Sequence, residues 1–121
     1  MAANSVRVYL YNNCDTCRKA VRWLNEHDVQ REEIPIRQQP PTVPELQRML
    51  AVTGDLRKLF NISGTDYKAL GMKDRLPKLT EAEALELLSG NGNLVKRPFL
   101  LTATGGAVGF KAEEWEKLLR I

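Results

Sequence analysis

The chain has 121 residues, 43% of them hydrophobic, and a formal net charge of +3. That length suits one domain with its own apolar core. No apolar run approaches the roughly 20 residues of a membrane span. Residues 1–5 lack the basic and apolar regions of a secretion signal, so the expected compartment is cytoplasmic. The basic residues fall in pairs, Arg18-Lys19, Arg57-Lys58 and Lys96-Arg97, scattered among acids. Such a surface argues against direct nucleic-acid binding. Two cysteines and the single His27 fall short of the four ligands of a structural zinc, so no metal is expected.

Residues 6–11 form an apolar run that reads as a covered strand. Asn12-Asn13 turns the chain, and residues 15–27 read as a helix. Both cysteines, Cys14 and Cys17, sit at this helix start as a CxxC. In a cytoplasmic protein that motif points to redox chemistry. A disulfide across one turn closes too small a loop to serve as a structural staple. The first helical N–H groups lack internal partners and carry partial positive charge. Cys14 at that end, with Arg18 one turn further on, is therefore expected to favour its thiolate. Cys17 heads an apolar stripe with Ala20, Val21 and Leu24. Cys14 is thus the expected exposed attacker and Cys17 the more buried resolving thiol. Trp23 lies at the edge of that stripe.

Residues 29–36 alternate loosely up to Pro35 and read as a second strand. The order strand, helix, strand makes a βαβ unit with parallel strands. Gln38 to Pro41 breaks the chain. Thr42-Val43-Pro44-Glu45 is a capping box that opens a helix through Leu46, Met49 and Leu50, ending near Gly54. Short helices are expected over 55–60 and 65–70, joined by the turn Asn61-Ile62-Ser63-Gly64. Thr80-Glu81-Ala82-Glu83 is a second capping box, opening a helix that packs Ala84, Leu87 and Leu88. Residues 94–102 read as a strand interrupted at Arg97-Pro98. Gly105-Gly106 is a hairpin turn, 107–110 the returning strand, and 112–119 a closing helix with Trp115, Leu118 and Leu119 on one face. Proline is poorly tolerated inside a central strand, and a cis bond before Pro98 explains its place. In thioredoxin-like folds such a cis-proline faces the CxxC, and by that likeness Arg97 would point toward the Cys14 pocket. The elements make an α/β, thioredoxin-like fold, β-α-β then β-β-α. It is expected as one domain over 1–121, its thioredoxin-like parts at about 5–37 and 94–121 and a helical insertion at about 42–90.

Four segments together resemble the arsenate reductase (ArsC)/Spx family of thioredoxin-like proteins. They are Tyr11 to Ala20, Leu59 to Tyr67, Leu94 to Pro98 and Val108 to Lys111, in family order. The CxxC and the Asn61 turn look most like its Spx-related branch. The resemblance implies that Cys14 attacks arsenate or a glutathione mixed disulfide and that Cys17 resolves the adduct. Arg18 and Arg97 match family arginines that hold the anion. Asn13, Asp15, Asn61, Pro98 and Lys111 would complete the substrate site. Asn61 and Lys111 stand where family arginines fall, and Leu10 where the glutathione-linked arsenate reductases carry histidine. No bound cofactor is implied; glutathione with glutaredoxin, or thioredoxin, would supply electrons to a monomer. The alternative implied function is an Spx-type redox-sensing regulator that binds the RNA polymerase α-subunit.

Overall fold

The computed structural model describes residues 6–121. The expected domain start at residue 1, the expected start of the thioredoxin-like part at about residue 5, and the N-terminal stretch read as lacking a signal lie outside the described residues. Four strands form one mixed sheet in the order β2-β1-β3-β4. They are β1 (Arg7–Leu10), β2 (Glu32–Pro35), β3 (Phe99–Leu101) and β4 (Gly106–Val108). β1 runs parallel to β2 and antiparallel to β3, and β3 runs antiparallel to β4. The helices are α1 (Asp15–Glu26), α2 (Val43–Thr53), α3 (Thr65–Ala69), α4 (Met72–Arg75), α5 (Glu81–Gly90) and α6 (Ala112–Leu119). α2 to α5 all lie between β2 and β3 in sequence. This is an α/β, thioredoxin-like architecture with a helical insertion.

The two-residue alternation of the strands divides the core into two layers. Val8 and Leu10 of β1 and Leu100 of β3 face α1 and α6, where they meet Cys17, Ala20, Leu24 and Trp115. Tyr9, Phe99 and Leu101 point the other way, onto Leu46 and Met49 of α2 and Leu85 and Leu88 of α5. Trp115 is fully buried, edge-on to Phe110 with centroids 5.0 Å apart. Its indole N–H donates to the Gly109 carbonyl at 3.2 Å. Each side chain buried so completely stabilises the fold by roughly 1.5–3 kcal/mol in transfer alone.

Local sequence explains the ends of the helices. Both capping boxes form: the Thr42 and Thr80 hydroxyls accept from the backbone N–H of Glu45 and Glu83, and both glutamates reach back to the cap. Gly54 ends α2 with a left-handed φ of 71°, which only glycine adopts without cost.

Several boundaries differ from the sequence reading. β2 covers only the last part of 29–36. The segment 55–60 is a 3-10 turn at Leu56–Leu59 rather than an α-helix. Residues 94–102 are strand only from Phe99; Leu94 closes a 3-10 turn, and Val95 makes one isolated bridge to Phe60. α5 buries Ala84, Leu85 and Leu88, while Leu87 is half-buried. Helical spacing places 84, 85 and 88 on one stripe and turns 87 toward its edge. Among the described residues no helix is long and apolar enough to cross a membrane.

Candidate functional site

The site gathers where β1 hands over to α1. Cys14 is the N-cap of α1, in extended conformation, and its sulfur accepts the Cys17 backbone N–H at 3.3 Å. It thereby takes the role that a serine or aspartate oxygen has at other helix starts. Cys14 is half-exposed and Cys17 is 2% exposed; both are free thiols. The pair is therefore asymmetric, with one sulfur reachable and the other facing the core. Burial pushes the Cys17 thiol up from the ordinary 9.0 to about 12. A backbone hydrogen bond from Tyr11 and the charge of Arg97 pull the other way, while the neighbouring Cys14 adds to the rise. A cavity of about 610 Å³ lies between α1 and β2, with Cys17, Arg18 and Tyr11 in its lining.

The two arginines are held differently. Arg18, exposed on α1, donates from Nη1 to Asp15 at 2.6 Å. Its charge is thus shared with a carboxylate of its own helix. Arg97 is half-buried and makes no ion pair among the described residues. Its guanidinium lies 4.8 Å from the centroid of the Tyr11 ring, and its Nη1 is buried without a hydrogen-bond partner. Buried donors are nearly always paired, so this Nη1 is open to an acceptor, water or ligand. The Arg97–Pro98 peptide bond is cis, and the buried Pro98 carbonyl accepts the Gly109 N–H at 2.8 Å.

The remaining expected residues spread around this centre. Asn13 is exposed in the turn before Cys14. Asn61 closes its own turn, accepting the Gly64 N–H at 3.0 Å and donating its N–H to Leu94 at 2.8 Å. Lys111 is exposed at the start of α6, 3.7 Å from Glu114. It lines a second groove, of about 750 Å³, with Thr16 of the first turn of α1, Arg57, Lys58 and Lys96. Cations thus border the first turn of α1 on this side as well. Tyr11 and Arg37 were not singled out by the sequence as site side chains. Arg37 Nη1 donates to the Tyr11 hydroxyl at 2.8 Å. Among the described residues no three His, Cys, Asp or Glu side chains converge as a metal site would need.

The chain is 43% identical over 114 residues to the uncharacterized protein YusI of Bacillus subtilis, spanning 93% of this chain and 97% of YusI. It is 30% identical over 113 residues to the global transcriptional regulator Spx of Enterococcus faecalis, spanning 93% of this chain and 84% of Spx. The crystal structure of a possible arsenate reductase from Streptococcus mutans superposes with a TM-score of 0.85 at 34% identity, covering 93% of this chain and 98% of the other. The model of the ArsC family matches residues 9–118, nearly the whole described chain, and the chain belongs to that family.

Proposed function

We propose that the protein is a thiol-dependent oxidoreductase resembling arsenate reductase, with Cys14 as nucleophile and Cys17 as resolving thiol. The observation that carries this reading is the asymmetry of the pair: a half-exposed sulfur capping a helix, one turn from a fully covered free thiol. The Cys14 thiolate attacks one sulfur of a disulfide substrate, the other sulfur leaves as thiolate, and a mixed disulfide remains on Cys14. Cys17 gives up its proton and attacks the Cys14 sulfur. The second substrate thiolate leaves, and the Cys14–Cys17 disulfide has taken up the oxidising equivalents. Two electrons pass from the protein to the substrate. With arsenate, Cys14 displaces an arsenic-bound hydroxyl as water; Cys17 attack then forms the same disulfide and releases arsenite. Arg97, and Arg18 once released from Asp15, hold the anionic part of the substrate. Glutathione with glutaredoxin, or thioredoxin, returns the electrons in the cytoplasm.

The test is turnover of arsenate and of a glutathione mixed disulfide with each reductant. Activity on one of them, abolished in Cys14→Ser, supports the reading; absence of turnover on both overturns it. The relationship to Spx favours a second reading, a redox-switched regulator that binds the RNA polymerase α-subunit. Its signature is binding to that subunit that depends on the thiol state, without turnover.

A further inference from the structure

Sheet register makes Tyr11 the meeting point of two cations. β1 and β3 pair with Tyr9 opposite Phe99, so two residues on Tyr11 stands across from Arg97. β1 and β2 pair with Leu10 opposite Pro35, so Arg37 leaves the other flank two residues later. The guanidinium carbons of Arg37 and Arg97 lie 4.9 Å and 4.8 Å from the Tyr11 ring centroid. Among the described residues neither has a carboxylate partner, although Arg7, Arg18 and Arg31 each have one. Two like charges held within roughly 10 Å of each other repel. The π-face of the ring offsets part of that for each guanidinium. An anion between them would relieve the rest and give the orphaned Arg97 Nη1 an acceptor.

We propose that Arg37 and Arg97, gathered on the Tyr11 ring, form a two-guanidinium anion site beside the cysteine pair, with Tyr11 as its positioning residue and a carboxylate carried by a disulfide substrate as its ligand. This rests on the thiol–disulfide reading of Cys14. A planar carboxylate matches the planar guanidinium fork in a way a point cation does not. Tyr11 stands three residues before Cys14, so the site flanks the sulfur. That suits a charge borne some atoms away from the reacting bond.

The experiment compares two disulfide probes by stopped flow with the reduced protein: dianionic dithiobis(nitrobenzoate) and neutral dithiodipyridine. The quantity read is the ratio of their rates. Arg37→Gln and Arg97→Gln each lower the ratio about tenfold. Tyr11→Leu lowers it similarly, and Tyr11→Phe, which keeps the ring face but loses the Arg37 hydrogen bond at 2.8 Å, lowers it by less. A purely structural role slows both probes alike and leaves the ratio in place, which overturns the proposal. A second readout needs no reaction: in Cys14→Ser, the Arg37 and Arg97 Nε–H resonances are followed by NMR during titration with nitrobenzoate. Saturable shifts at both support the site even where Cys14 proves unreactive, and that combination sinks the oxidoreductase reading alone. Shifts with inorganic phosphate but not with nitrobenzoate, or with neither, overturn the carboxylate assignment.

Discussion

The burial of Cys17 makes the second chemical step the pH-sensitive one. With its thiol pushed up to about 12, only about one molecule in 10⁵ carries the thiolate at pH 7, against about one in 10² for an ordinary thiol at 9.0. A more basic thiolate is also a better nucleophile, with a Brønsted slope of about 0.4–0.5, which recovers about twentyfold of that thousandfold loss. Resolution is thus slowed by up to about fiftyfold at pH 7. Once Cys14 is capped, its charge and hydrogen bond no longer raise the Cys17 value, so the operative number lies between 9.0 and about 12. Across that interval the rate climbs between about fivefold and about tenfold per pH unit from pH 7 to 9, the full tenfold applying where the operative value lies well above 9. The assay loads Cys14 with nitrothiobenzoate and follows release of the coloured thiolate by stopped flow; Cys17→Ser supplies the blank. A rate that is flat over this range, or levels off below pH 9, refutes the reasoning.

Burial also raises Tyr9, with the Glu45 carboxylate adding to it. Tyr9 and Cys17 hold their protons to higher pH in the folded chain than in the unfolded one. Their contribution is therefore complete below about pH 9 and is lost as pH rises above it. Urea midpoints should fall from pH 9 upward, and less steeply in Cys17→Ala; a flat profile contradicts this. Glu45 shifts the other way. Its burial works to raise it, but hydrogen bonds from Thr42 and Tyr9 and the Arg7 charge outweigh burial and hold it below 4.5. Its share of stability is present above that value and disappears as pH falls through the folded one. The carboxylate takes the Tyr9 hydroxyl at 2.7 Å, the Thr42 N–H at 2.9 Å and the Arg7 guanidinium. Glu45→Ala should cost about 2–3 kcal/mol, toward the low end for a broken pair because Arg7 is partly solvated and keeps Glu32 at 3.3 Å. In a chain of this size that lowers Tm by roughly 8–12 °C; a shift under 3 °C would contradict it. Gly92 carries no room for a side chain, since a Cβ there would lie 1.8 Å from the Ile36 carbonyl oxygen. Gly92→Ala should cost about 3–5 kcal/mol in urea unfolding, with Gly90→Ala, which meets nothing within 4 Å, as the mild control.

The features read correctly from sequence are those with a local cause. Both capping boxes, the Gly54 stop and the CxxC at a helix start depend on residues within one turn of each other. Pro98 stood out because a proline inside an apolar run demands a special backbone, and its bond is cis. What escaped has non-local causes. α4 and the 3-10 turn Leu76–Lys78 are too short for a periodic pattern, and only Met72 and Leu76 mark their buried side. The exact phase of α5 is set by what α2 presents to it, which moved Leu85 inward and Leu87 outward. The grouping of Tyr11, Arg37 and Arg97 joins three strand ends through register, and no spacing in the sequence announces it.

The central claim, one accessible nucleophilic sulfur beside one covered sulfur, is tested most directly by timed alkylation. The reduced native protein is treated with iodoacetamide at pH 7, quenched at intervals, and the peptides carrying Cys14 and Cys17 are quantified by mass spectrometry. Cys14 should be modified at least about a hundredfold faster, with Cys17 labelled only on unfolding or at strongly alkaline pH. Equal labelling of the two, or Cys17 reacting first, would contradict the account.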